Sequence, residues 1–141
     1  MAQGILSFGL QTNSDHLPVS VSFDDQHFGP VDIDPESVYL QYVFAEDRQH
    51  ELVIRLLNKL PHQTVLDAQG HIVKDTLLEV VDFQIDDIPV MKLMQYFARY
   101  HHDYNGTGLS IQDNFYGSMG CVGEVRLTIP RHYRHWMLEN I

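Results

Sequence analysis

Along most of the chain, apolar and polar residues alternate with a period of two, the signature of strands that bury one face. Val19, Val21 and Phe23 alternate with Ser20 and Ser22, and Val38, Leu40, Tyr42 and Phe44 share one face over 37–45. Residues 5–11 predict a short first strand, and 76–85 a long later one. Residues 52–57 are apolar on both faces, as a central strand requires. Turn residues punctuate these runs: Asp24-Asp25-Gln26, Gly29-Pro30, Glu46-Asp47-Arg48, Asp67-Ala68-Gln69-Gly70 and Asp86-Asp87. Only 91–100 has helical character, and it reads equally well as an irregular connection.

Residues 114–141 read as a glycine-punctuated loop, a last strand and an aromatic plug. Val125, Leu127 and Ile129 alternate with Glu124, Arg126 and Thr128, and Pro130 stops the strand. Tyr133, Trp136 and Met137 then cluster at helical spacing. Six or seven strands with at most one short helix predict an all-β, antiparallel β-sandwich of jelly-roll or Greek-key type. It spans 1–141 as a single domain with no internal repeat.

Net charge changes the list of partners. Nineteen acidic and nine basic side chains give −10, which repels phosphate backbones and anionic membranes, so nucleic acid is not expected. No apolar run approaches a membrane span, and the first residues carry no signal-peptide pattern, so membrane insertion is not expected either. The single cysteine, Cys121, excludes an internal disulfide and a multi-cysteine zinc site.

Candidate chemistry is sparse. There is no G-x-S-x-G, and the glycines at 117, 120 and 123 precede a strand, so they cannot seat phosphate at a helix N-terminus. No enzyme is expected. Among nine histidines, His101-His102 would point to opposite faces of a strand, while His132 and His135 could converge on a helix but lack a third ligand. No cofactor is required, and calcium is the one ion the acidic loops could take. Asn58, Asp67 and Asp75 flank one predicted loop and are its candidate ligands. Tyr96, Tyr100, Tyr104, Tyr116, Tyr133 and Trp136 concentrate in the last third among Asn, Asp and His. They read as ligand or subunit contacts, or as core.

Four segments carry a family resemblance. They are His50-Glu-Leu-Val-Ile-Arg-Leu-Leu-Asn-Lys59, Asp67-Ala-Gln-Gly-His-Ile-Val-Lys-Asp-Thr76, Leu78-Glu-Val-Val-Asp-Phe-Gln-Ile-Asp86, and the stretch from Phe115 to Tyr133-Arg-His-Trp-Met-Leu-Glu-Asn140. The pattern resembles small bacteriophage β-sandwich proteins that look like calcium-dependent xylan-binding carbohydrate-binding modules. Of that family's calcium segments only Asn58 and Asp75 carry over, since Lys59 stands where an Asp belongs and the Arg-Asn after the second Asp is missing. The resemblance implies a non-enzymatic virion structural or assembly protein of a fibre, tail, neck or capsid decoration. It would be made in the host cytoplasm and bound to other virion proteins and to copies of itself. The alternative it implies is a calcium-assisted glycan-binding module that recognises host-surface saccharide.

Overall fold

The computed structural model describes residues 2–104, 106–108 and 110–141. In chain order the strands are β1 (Gln3–Thr12), β2 (Leu17–Phe23), β3 (Gln26–Ile33), β4 (Val38–Ala45), β5 (His50–Leu56), β6 (Thr64–Leu66), β7 (Ile72–Asp75), β8 (Leu78–Ile85) and β9 (Ile88–Pro89). Helix α1 (Met91–Phe97) follows, then β10 (Arg99–His102), β11 (Ile111–Asn114), β12 (Ser118–Met119), β13 (Gly123–Ile129) and helix α2 (Tyr133–Asn140).

Two open sheets hold most of the chain. One runs β12-β8-β1-β4, with β9 beside β8, and the other runs β11-β10-β13-β5-β2-β3. Strands β6 and β7 form a small separate ribbon. The pairings between strands are antiparallel. Period-two alternation explains what each sheet buries. Leu6, Phe8 and Leu10 of β1, Tyr42 and Phe44 of β4, Val19 and Val21 of β2, and Val125, Leu127 and Ile129 of β13 join one core cluster. Within it Phe23 stacks on Tyr42 with ring centroids 5.0 Å apart, and Phe44 meets Tyr133 edge-on at 4.8 Å.

Short acidic turns set the hairpins. Asp86 and Asp87 join β8 to β9 and both have positive φ, 53° and 63°. That geometry matches the twist of a two-residue hairpin, and Asp tolerates it through its short polar side chain. Two glycines are required by close approach. A Cβ on Gly4 would meet the rings of Phe44 and Tyr133, and one on Gly123 would collide with the His101 carbonyl across the β10–β13 pair.

The expected all-β sandwich of jelly-roll or Greek-key type is corrected here. The fold is mixed, with helices of seven and eight residues, and neither large sheet closes on itself. The helices form because apolar residues three and four apart bury one stripe. Leu93 and Met94 follow buried Val90 by three and four residues at α1, and Tyr133 and Met137 are four apart in α2. The resemblance to xylan-binding modules of phage particles fails with the fold. The two functions it implied fail too: a virion structural or decoration protein, and a calcium-assisted glycan module for host recognition. Among the described residues no helix is long and apolar enough to cross a membrane.

Candidate functional site

Helices α1 and α2 meet the end of β11 around one cavity of about 400 Å³. Its lining is Lys92, Gln95 and Tyr96 from α1, Asn114 and Tyr116 from β11 and the residues after it, and Asn140 from α2. Local sequence explains each orientation. Leu93 and Met94 turn α1 toward the core, which leaves Lys92 and Tyr96 on its outer side. Phe115 is fully buried, so its neighbours Asn114 and Tyr116 face out. The Arg99 guanidinium donates to the Tyr96 and Ala98 carbonyls, each at 3.0 Å, and fixes the end of α1.

Two tyrosines dominate the exposed surface. Tyr96 is 67% and Tyr116 74% exposed. Behind Tyr96, Phe97 packs on Trp136 with centroids 5.4 Å apart, and Trp136 is half-buried against the core. The Asn140 side-chain amide donates to the Trp136 carbonyl at 2.8 Å. Aromatic walls around three amides and one ammonium can cover apolar groups and also donate and accept hydrogen bonds.

Of the six aromatic residues proposed from sequence, Tyr96, Tyr116 and Trp136 therefore lie at or beside one surface. Tyr100 and Tyr133 do not. Tyr100 is buried, its hydroxyl donating to the Cys121 carbonyl at 2.5 Å and accepting from the Cys121 N–H at 2.9 Å. Burial pushes its hydroxyl well above the usual tyrosine range. Tyr133 is fully buried at the start of α2. Tyr104 is exposed elsewhere, 6.1 Å from the His102 ring. Gln95, Asn114 and Asn140 were not singled out from sequence. Their signal was adjacency to the aromatics: Gln95 precedes Tyr96, Asn114 precedes Phe115-Tyr116, and Asn140 is four residues beyond Trp136.

The three calcium candidates are engaged in other bonds or stand outside. Asp67 Oδ1 accepts from the Gln69 and His71 N–H groups, both at 2.9 Å, and closes the β6–β7 turn. Asp75 Oδ1 accepts from Thr64 Oγ1 at 2.8 Å and is paired with Lys59. The Lys59 side chain is only 7% exposed and also donates to the Gly120 carbonyl at 2.5 Å. Its ammonium thus stands beside Asp75 where a cation would sit. Asn58 is exposed beyond the end of β5. Among the described residues no three His, Cys, Asp or Glu side chains gather so as to hold a metal ion.

A second, shallower cavity of about 350 Å³ is lined by His101, His102, Asp103, Gly108, Ser110, Val122 and Gly123. His102 Nε2 lies 2.8 Å from Asp113 Oδ2, and its Nδ1 accepts from the Tyr104 N–H at 3.2 Å. Asp103 Oδ1 is buried with no hydrogen bond among the described residues. Comparison of the chain with protein-family models, curated proteins and solved structures gives no match.

Proposed function

We propose that this chain is a non-catalytic recognition domain that binds an extended polypeptide segment of a partner protein in the groove between α1, β11 and α2. The observation that carries the reading is the pair Tyr96 and Tyr116, both strongly exposed on one cavity whose other lining groups are Gln95, Asn114, Asn140 and Lys92. Tyrosine offers large contact area at little loss of rotamer freedom, and it is enriched at the centre of protein interfaces. The three amides each offer a carbonyl and an NH₂, which match the alternating donors and acceptors of an extended backbone. Lys92 adds a cation that suits a carbonyl or carboxylate of the segment.

The engagement of three titratable side chains supports the non-catalytic part. His50 is enclosed by Asp24 and the Ala45 carbonyl, Asp75 by Lys59 and Thr64, and Asp86 by Tyr133 and the Ile5 N–H. These groups act as struts of the fold.

The test is selection of linear peptides from a displayed random library on the intact chain. Enriched peptides should bind by calorimetry and lose about tenfold or more in affinity with Tyr96→Ser or Tyr116→Ser, a typical hot-spot loss. Both variants should melt as the parent does, since the rings are exposed. Peptides that bind parent and variants equally, or no enrichment at all, would remove the reading.

A further inference from the structure

We infer that two copies of this chain pair antiparallel along β4, about a two-fold axis through Gln41, joining their β12-β8-β1-β4 sheets into one continuous sheet. Strand β4 ends its sheet and pairs with β1 alone. It is eight residues long and reads Val-Tyr-Leu-Gln-Tyr-Val-Phe-Ala, with no charge, proline or glycine. Such an edge offers a row of unsatisfied backbone donors and acceptors to another strand.

The other edges of the two large sheets are blunted. Strand β3 carries Gly29, Pro30 and Asp32, and its register slips between Val19 and Val21 of β2. Strand β11 is four residues long and carries Asp113, while β9 and β12 have two residues each. Short strands, proline, bulges and charge are the usual means of preventing edge pairing. Strand β4 has none of them.

A second copy is the occupant this edge fits. The chain carries −10, so copies repel over most of their surfaces, and β4 is a neutral strip where that repulsion is least. Its sequence is also self-complementary about Gln41. In an antiparallel two-fold pair, Gln41 faces its own symmetry mate. Tyr39, whose ring lies over Gly9 of its own sheet and whose hydroxyl donates to Asp82 Oδ2 at 3.0 Å, stands opposite Val43 of the other copy on the outer side, and Leu40 stands opposite Tyr42 on the inner side. Tyr39 and Val43 are exposed and Leu40 is half-buried, so the pairing covers apolar surface on both sides. Such a contact is isologous and closes at two copies.

Sedimentation velocity on the intact chain, over a concentration series, tests the pairing. The mass should rise from 16.3 kDa toward about twice that value. Gln41→Lys places two ammonium groups face to face and should hold the protein at the monomer mass. Because Gln41 is exposed, the variant should melt as the parent does at dilutions where the parent is monomeric, and below it where the parent is paired. Register is read by oxidation. In Gln41→Cys the facing Cα atoms lie about 5 Å apart, within disulfide reach. In Tyr39→Cys they lie about 14 Å apart, from four residues of strand rise. Gln41→Cys should therefore cross-link readily, whereas Tyr39→Cys and the parent with only Cys121 should not. A parent that stays monomeric throughout overturns the inference. So does a dimer untouched by Gln41→Lys, or one abolished by Tyr96→Ser in the α1 groove.

Discussion

The Tyr133 hydroxyl donates to Asp86 Oδ2 at 2.6 Å, and Asp86 Oδ1 accepts from the Ile5 N–H at 2.9 Å. One carboxylate in a tight turn thus couples the last helix to the first strand. Removing the hydroxyl in Tyr133→Phe should cost about 1.5–3 kcal/mol, a hydrogen bond to a charged acceptor. Tyr133→Ala should cost about 3–5 kcal/mol, because the ring is fully buried against Phe44 and a cavity would remain. Denaturant unfolding followed by circular dichroism checks both. A Tyr133→Ala midpoint equal to that of the parent would mean that α2 is not docked as described.

The same ring shapes the alkaline limit. Burial, then the hydrogen bond to Asp86, pushes the Tyr133 hydroxyl above the usual tyrosine range, and burial does the same for Tyr100 and Tyr42. In the unfolded chain these phenols ionise near pH 10. A raised folded value means the folded state holds its proton longer. The stabilisation is complete below about pH 10 and declines as pH rises above it. Unfolding free energy should therefore fall steeply above that point. Part of the tyrosinate absorbance should appear only together with loss of the far-ultraviolet signal. Tyrosinate absorbance that is complete before any loss of structure would contradict this.

His50 is the buried polar centre of the core. Its Nδ1 lies 2.6 Å from Asp24 Oδ2 and its Nε2 2.6 Å from the Ala45 carbonyl, while its ring stacks on Phe23 at 5.6 Å. Each ring nitrogen thus has one oxygen partner, and neither is left alone in the core. Asp24 Oδ1 also accepts from the Glu51 N–H at 2.9 Å. Asp24→Ala strands a ring nitrogen and a backbone donor, and should cost about 2–3 kcal/mol. Asp24→Asn, which keeps one acceptor oxygen, should cost less. Equal stability of Asp24→Ala and the parent by thermal unfolding would show that the pair contributes nothing.

Strands were legible where one face is buried. Val19, Val21 and Phe23, or Val125, Leu127 and Ile129, announce themselves because burial imposes alternation directly on the residues. The two helices were harder to place. The 91–100 stretch gives α1 only seven residues, too few turns to establish a helical period, and Ala98 already leaves it in extended geometry. Helix α2 is preceded by His132 in a left-handed conformation with no side-chain cap, so no start signal marks it. The groove was half legible. Clustering of aromatics in the last third pointed toward Tyr96, Tyr116 and Trp136. Nothing local separates them from Tyr100 and Tyr133, because a ring's burial depends on which strands pass over it. The fate of Asp75 was hidden for the same reason, since Lys59 reaches it only after the chain has turned through β6 and β7.

The Gln3 carbonyl faces the Tyr133 hydroxyl at 3.4 Å and the Arg134 guanidinium at 3.2 Å, and the Tyr133 ring lies over Gly4. During synthesis the ring that seals β1 arrives 130 positions after the strand it covers. Until then that flank of the strand is uncovered, and exposed apolar surface of this kind makes a nascent chain prone to aggregate.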